Sequence, residues 1–355
     1  MWSPKGAKLV SGPVTTPRVS VIVPARDEEA NIGGCVRSLV VQGEDLEIIV
    51  ADDGSQDRTA EIAHELAAEF PQVKLVSVPP LPEGWLGKTH ALHVAAERSR
   101  GEWLLFTDAD TRHEPGKLAA VVERAEQEAL DLVSFSPRQE VRAWWEKAVI
   151  PFVYQRLAML YPYPQVNDPS DSKAAANGQY ILIRRSAYQS LGGHQAIRSA
   201  VLEDVELARR AKHAGLRVWF GSGEGTVSTR MYRRFAEMWE GWTKNLFLLY
   251  DRDYGAIRRA TVELAFRYLL PAVAGIALLS GGSRWAEGMG GVVLAYLAWE
   301  HYRYWRKLPR EARSAATALL LPGVVLFLLL LWNSARRYWR QQEIEWKGRR
   351  YRAPA

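Results

Sequence analysis

From Val19 onward, short β-branched apolar runs alternate with longer segments of helical period, the pattern of repeated strand–helix–strand units. VSVIVPA (19–25) predicts a strand, NIGGCVRSLVVQ (31–42) a helix and LEIIVADD (46–53) a strand. DRTAEIAHELAAEF (57–70) predicts a helix that Ser55 or Asp57 is placed to cap. VKLVSV (73–78), KTHALHVAAERS (88–99) and WLLFTDAD (103–110) continue the alternation. The expected fold is α/β: a mostly parallel sheet with helices on both faces and a ligand crevice at the carboxyl ends of the strands.

Acidic pairs fall at those ends: Asp52 and Asp53 close one strand, and Asp108 and Asp110 close another. Surface loops are the commonest place for such residues. Here, however, a strongly apolar strand delivers both carboxylates to the rim of the crevice. Oxygen ligands at that position suit a hard divalent cation. Magnesium takes only one or two protein carboxylates and fills its shell with phosphate oxygens and water.

Beyond residue 255 the pattern changes to three apolar stretches with few charges: 266–282, 288–299 and 315–332. The third is long enough for a membrane helix, the first just so, and the second is short. Flanking Arg, Trp and Tyr are typical of membrane interfaces. Three full spans would leave a basic tail on the far side, against the positive-inside tendency. An even number of crossings, with 315–332 re-entrant at Pro322–Gly323, keeps that tail and the basic loop at Arg303, Arg306, Lys307, Arg310 and Arg313 in the cytosol.

Charge and cysteine content sharpen this picture. The net charge of +6 is modest, but it is concentrated at the end, where Arg336, Arg337, Arg340, Lys347, Arg349, Arg350 and Arg352 face only Glu343 and Glu345. Such a tail suits anionic lipid. Nucleic acid is the poorer match, because no aromatic-lined binding module accompanies it. The lone Cys35 excludes an intrachain disulfide and a cysteine-cluster metal site, and it reads as helix packing. The first residues lack an apolar h-region, so 1–18 is expected to be a lead-in, with the following domain on the cytosolic side.

Four motifs in order, VSVIVPARDEEANI, IIVADDGSQDRTAEIA, GKTHAL and LLFTDAD, resemble the nucleotide-sugar-binding half of family 2 glycosyltransferases of the GT-A fold, over about residues 18 to 230. The resemblance implies an enzyme that binds a UDP-sugar with Mg2+ or Mn2+. It implies a base and ribose pocket of Pro24, Ala25, Arg26 and Glu28, with Asp52 and Asp53 near the uracil and ribose. Lys88 is implied near the base or diphosphate, Asp108 at the ribose or a metal-bound water, and Asp110 on the metal.

In SAVLEDVELARRAKHAGLRV (199–218), Glu203-Asp204 matches the family's E-D motif, which implies Asp204 as general base with Glu203 in support. Carboxylates at a helix start also complement the helix dipole without any catalytic role. Asn177, Gly178 and Gln179 lie in a stretch resembling the family's donor-sugar contacts, and strand packing explains them nearly as well. His113 is expected to be a surface histidine beyond the strand.

The Q-x-x-R-W motif of processive members does not occur, which points to one sugar per acceptor. In its place RMYRRFAEMWEGWTKNLFLLY (230–250) predicts an interfacial helix, with Trp239, Trp242, Phe247 and Leu248 toward lipid and Arg233, Arg234 and Lys244 toward phosphates. WEGWTKN within it, and WKGRRY (346–351), resemble membrane glycosyltransferases acting on carotenoid or hopanoid-type lipids. In the tail, Lys347, Arg349 and Arg350 suit either a donor diphosphate or anionic headgroups. The aromatic stretch 143–164 is either a surface segment admitting a lipid or a core helix broken by proline, and periodicity does not decide.

The expected organisation is a lead-in (1–18), a GT-A domain (19–230), an amphipathic interface segment (231–260), membrane helices (261–335) and a basic cytosolic tail (336–355). The expected activity is inverting transfer of one hexose or N-acetylhexosamine from a UDP-sugar to a lipid hydroxyl at a multi-pass site in the cytoplasmic membrane. The alternatives are a polyprenyl-phosphate acceptor and a non-catalytic nucleotide-sugar-binding protein.

Overall fold

A computed structural model of the protein describes residues 17–306, 310–340, 344–346 and 349–351, with the backbone alone for 310–318 and the last two segments. Seven strands form the main sheet, in the order β3 (Val73–Ser77), β2 (Leu46–Asp52), β1 (Val19–Ala25), β4 (Trp103–Phe106), β8 (Ile181–Arg184), β6 (Leu132–Ser136) and β9 (Val218–Ser222). All neighbours run parallel except β8, which is antiparallel to both β4 and β6. A second sheet joins β5 (Thr111–His113), β10 (Val227–Thr229) and β7 (Arg138–Gln139).

Burial on both faces explains the near-continuous β-branched strands. Val21, Val23, Ile48 and Val50 pack on one side under α1 (Ile32–Val40), α2 (Thr59–Glu69) and α4 (Lys117–Gln127). Ile22, Ile49, Leu104 and Phe106 pack on the other, under α3 (Gly87–Glu97), α7 (Arg185–Ser190) and α8 (Glu203–His213). Each such side chain contributes about 1.5–3 kcal/mol when fully buried.

A second core lies outside the sheet. It unites α5 (Trp144–Leu160), α9 (Phe235–Leu249), α10 (Tyr254–Leu264) and α13 (Arg310–Trp339). The short helix α6 (Tyr163–Asn167) follows α5. A π-helical turn at Ala265–Leu269 links α10 to α11 (Leu270–Leu279), and α12 (Arg284–Arg306) packs back along α11. A terminal hairpin pairs β11 (Ile344–Trp346) with β12 (Arg349–Tyr351). Among the described residues, two helices, Tyr254–Leu279 and Leu319–Trp339, are long and apolar enough to cross a membrane by length and composition.

Several expectations change here. Trp242 and Phe247 are 3% exposed and pack in the second core, because α13 covers the face of α9 that the sequence offers to lipid. Within the stretch 143–164, α5 packs one face into the core: Val149, Phe152 and Val153 are buried against α13, with Pro151 accommodated inside the helix. His113 is buried rather than at the surface, its Nε2 3.1 Å from Thr107 Oγ1. Burial, with Arg112 beside it, pulls its imidazole down to about 3 and keeps it neutral.

Candidate functional site

The chain runs β1 to β2 to β3 toward one edge and then returns to the other side of β1 as β4, so the sheet's switch point lies between β1 and β4. A cavity of about 820 Å3 opens there.

The loop after β1 is fixed by the loop after β2. Asp27, held at φ +52°, accepts from Gln56 N through Oδ1 at 2.7 Å, while its own N–H donates to Ser55 Oγ at 3.0 Å. Glu28 N–H donates to Thr59 Oγ1 at 2.7 Å and Glu29 N–H to Asp57 Oδ2 at 3.0 Å. Asp57 also accepts from Thr59 N at 2.9 Å, serving the start of α2. These bonds hold the Pro24–Glu28 wall of the cavity against the β2 loop.

Of the residues singled out in the sequence, Pro24, Ala25, Arg26, Glu28, Asp53, Lys88, Asp108, Asp110, Asn177, Gly178, Gln179, Glu203 and Asp204 line this cavity. Asp52 turns aside: its Oδ1 accepts from Ser55 Oγ at 2.5 Å and closes the turn after β2. Arg26 reaches across instead, with Nη1 2.5 Å from the Asp53 carbonyl oxygen.

At the cavity floor one ammonium serves two carboxylates. Lys88 Nζ lies 2.8 Å from Asp108 Oδ1 and 2.7 Å from Glu203 Oε1. A single positive charge does not neutralise both. Burial works against both carboxylates. At Glu203 Lys88 prevails and holds the carboxyl below its usual range, whereas at Asp108 burial and the neighbouring acids prevail and the carboxyl is pushed up. Lys88 itself is held well above its usual value: burial opposes its charge, and Asp108 and Glu203 overcome that opposition.

Asp110 has little compensation. Its carboxylate receives long contacts of 3.3 and 3.4 Å from Gln179 Nε2, which also donates to Thr229 Oγ1 at 3.0 Å. Burial, then Asp108 and Glu28, pushes it up to about 7. Among the described residues no group of three or more His, Cys, Asp or Glu stands ready to cage a metal unaided.

Asp204 is oriented by the backbone. Gly178 N–H donates to its Oδ2 at 2.9 Å and Val205 N–H to its Oδ1 at 2.8 Å. Burial and the adjacent Glu203 nevertheless push it up to about 6. Gly178 leaves room for a close approach: a Cβ there would lie 3.0 Å from Lys88 Nζ and 3.3 Å from Glu203 Oε1, so both side chains would have to give way slightly.

Residues 20–192 match the family described as Glycosyl transferase family 2. Over this stretch the chain is similar to that family. The chain has relatives named 4,4'-diaponeurosporenoate glycosyltransferase. One, from Staphylococcus haemolyticus (strain JCSC1435), is 33% identical over 235 residues, covering 65% of this chain and 62% of that relative's length. Another, from Staphylococcus aureus (strain MRSA252), is 25% identical over 343 residues, covering 94% of this chain and 88% of the relative. Among solved structures, the mannosyltransferase PcManGT from Pyrobaculum calidifontis, in complex with GDP-Man and Mn2+, shares the fold. Its TM-score is 0.56 at 21% identity, over 95% of this chain and 92% of that one.

The rest of the cavity comes from elements remote in sequence. Tyr154 and Leu157 of α5, Phe220 of β9, Tyr232, and Trp242 and Lys244 of α9 form an aromatic and apolar arm beside the carboxylates. Burial, against the attraction of Glu203, pulls Lys244 down to about 8. Arg230 is held at 2.9 Å by the buried Glu146 of α5. Phe220, Arg230 and Tyr232 carry no signal in their local pattern. The density of aromatic and cationic residues over 230–250 is the one clue that this segment belongs to the site. Lys347 of the tail lies outside the described residues, as do the side chains of Arg349 and Arg350.

Proposed function

We propose that the protein is an inverting glycosyltransferase that moves one hexose or N-acetylhexosamine from a UDP-sugar to a carotenoid-type lipid acceptor. The observation that carries this reading is the composition of the cavity: the Lys88–Asp108–Glu203 cluster and Asp204 on one side, and the aromatic arm of α5 and α9 on the other. A polar nucleotide and an apolar acceptor require such a division. The relatives' names supply the acceptor class.

Pro24, Ala25, Arg26 and Glu28 would hold the base and ribose, with Asp53 beside them. Asn177, Gly178 and Gln179 would contact the donor sugar. Lys88 bridges Asp108 and Glu203 and would add positive charge near the diphosphate.

The residues fit a divalent cation. Asp110 is an under-compensated carboxylate at the cavity floor, and hard oxygen donors in this number suit Mg2+ or Mn2+. Asp110, with Asp108, would hold the ion, which supplies stabilisation of the charge that the diphosphate acquires as it leaves. Asp204, oriented by Gly178 and Val205, would accept the proton of an acceptor hydroxyl; its carboxyl at about 6 suits a base that is ionised at neutral pH.

One observation favours a second acceptor chemistry. Lys244 is a cation in the acceptor arm, and the relatives are named for a carboxylate, diaponeurosporenoate. A carboxylate or phosphate oxygen needs no base. Mass spectrometry of lipid extracts from cells with and without the protein tests the activity itself: a carotenoid-type lipid heavier by one hexose or N-acetylhexosamine is expected, and no such shift would overturn the reading. The same assay with Asp204→Asn separates the acceptors, since a hydroxyl acceptor predicts loss of transfer and an anionic acceptor predicts its retention.

We place the cavity at the cytosolic face of the membrane. Arg258, Arg259, Arg336 and Arg340, exposed where the apolar surface begins, support that side by the positive-inside tendency.

A further inference from the structure

The aromatic arm of the cavity is a groove between two helices that run side by side in the same direction. Tyr154, Leu157, Ala158 and Tyr161 line it from α5, and Trp242, Asn245 and Leu249 from α9. Both sets follow helical spacing, so each is one stripe of its helix. Two contacts set the stripes in register. The rings of Tyr154 and Trp242 meet edge to face with centroids 6.1 Å apart, and Tyr161 OH donates to the Leu249 carbonyl at 2.9 Å. From Tyr154 to Tyr161, and from Trp242 to Leu249, is seven residues, two turns of each helix.

The same contacts mark the ends of the groove. Tyr154 is the inner end: burial, then Asp110 and Asp204 nearby, push its phenol above the usual range. Seven residues at 1.5 Å each put the outer end about 10 Å away. There the Tyr161 hydroxyl serves a carbonyl in the last turn of α9, one of the groups that a helix end leaves without an intrahelical partner. Tyr163 and Phe220, edge to face at 5.2 Å, close the side at this end, with Tyr161 packed in the same cluster.

The walls are held firmly. Gly323 of α13 packs on the Ala148 carbonyl of α5, and Ser334 Oγ of α13 accepts from Phe247 N of α9 at 2.9 Å. The outer end is built differently. Tyr161 has left the helical conformation, at φ −124° and ψ 68°. Leu249 leads into a turn where Asp251 (φ +52°) and Arg252 (φ +57°) are consecutive left-handed residues, neither of them glycine. Such strained backbone gathers at clamps and switch regions. Arg209 of α8, the helix that carries Asp204, pairs with Asp251. Ala158 is exposed and Met159 is 51% exposed, so the surface lies just beyond Tyr161.

An apolar chain lying lengthwise, with its reactive oxygen at Asp204, fills this groove within about 10 Å. A carotenoid-type polyene is rigid and longer than that, so it meets Tyr161. We propose that Tyr161 is the specificity-determining residue of the acceptor arm. Bonded to Leu249 it ends the groove, and a longer apolar acceptor is taken only when Tyr161 swings out and lets the chain reach the surface. This rests on the arm being the acceptor site.

Photolabelling reads binding apart from transfer. Two apolar chains, one shorter than the groove and one about twice its length, carry a diazirine at one end. Each is made with a carboxylate and with a hydroxyl at the other end. The full-length protein in phosphatidylcholine vesicles is irradiated with each probe, and tandem mass spectrometry locates the label. The short probe is expected on Leu157 and Asn245, and the long probe on the turn 250–253, past the outer end. A long probe that leaves 250–253 unlabelled overturns the proposal, as does a short probe found only outside α5 and α9.

Two variants then test Tyr161 itself. Tyr161→Phe keeps the ring and removes the bond to Leu249, and it is expected to raise labelling by the long probe about fivefold, the worth of one hydrogen bond. Tyr161→Trp enlarges the plug and is expected to lower labelling by the long probe at least about fivefold. Labelling by the short probe should stay within about twofold in both, which also shows that they are folded. Equal changes for the two probes, or none, would overturn the proposal. Lipid extracts without a glycosylated product would bear on the activity alone, so the two readings fail separately.

Discussion

Lys88 Nζ and Glu203 Oε1 stand 2.7 Å apart, joining the helix of the third strand–helix unit to the helix that carries Asp204. The same nitrogen is 2.8 Å from Asp108 Oδ1, so Lys88 is the electrostatic link between the two halves of the site. Lys88→Met is expected to leave Asp108, Glu203 and Asp204 facing one another and to weaken UDP-sugar binding at least about tenfold. Breaking a buried pair costs about 3–5 kcal/mol, but the lysine side chain is 37% exposed, so solvent screening reduces the expected loss of stability to about 1–2 kcal/mol. Calorimetric titration and denaturant unfolding read the two effects separately.

Asp204→Asn keeps the shape of the helix start and removes the base. With a hydroxyl acceptor, turnover is expected to fall by about 10²–10⁴ while donor affinity stays near that of the parent. The pH profile follows from the same residue. A base works only when ionised, and burial with Glu203 beside it pushes Asp204 up to about 6. Turnover should therefore be level above about pH 6 and fall about tenfold per unit below it. A profile that stays level down to pH 4.5 would remove Asp204 from this role.

Asp110→Ala separates stability from binding. The parent carries a poorly compensated carboxylate, so in metal-free buffer the variant is expected to unfold at the same or a higher temperature. Adding Mn2+ with UDP at about 100 times the dissociation constant should stabilise the parent by about 2.7 kcal/mol and leave the variant unmoved. Scanning calorimetry with and without the additions decides. An equal rise in both proteins would show that Asp110 does not hold the ion.

Gly178→Ala introduces a Cβ 3.0 Å from Lys88 Nζ. The flexible lysine can move away, but only by lengthening its contacts with Asp108 and Glu203. The expected outcome is a loss in kcat/KM of about ten- to a hundredfold with little change in Tm. Steady-state kinetics with unfolding measurements check both parts.

Much of the site was legible because strands report their ends. The apolar runs of β1, β2 and β4 stop at Ala25, Asp52 and Phe106, and a parallel sheet brings those ends to one edge. Residues just beyond them, Arg26, Asp53 and Asp108, meet in one cavity for that reason. What local pattern could not tell was which side chains turn inward: Asp52 closes its own turn on Ser55, and His113 is buried against Thr107.

The sequence by itself determined the alternating strands and helices, the acids at the strand ends and the apolar character of the last third, because each depends on local period and composition. Only the tertiary structure decided that Trp242 and Phe247 are core residues, that Lys244 and Tyr154 border the cavity, and that α13 has a covered face as well as an exposed one. Periodicity records that a face is apolar. Whether lipid, a neighbouring helix or a substrate covers that face is set by contacts between segments far apart in the chain, such as Gly323 on Ala148 and Ser334 on Phe247.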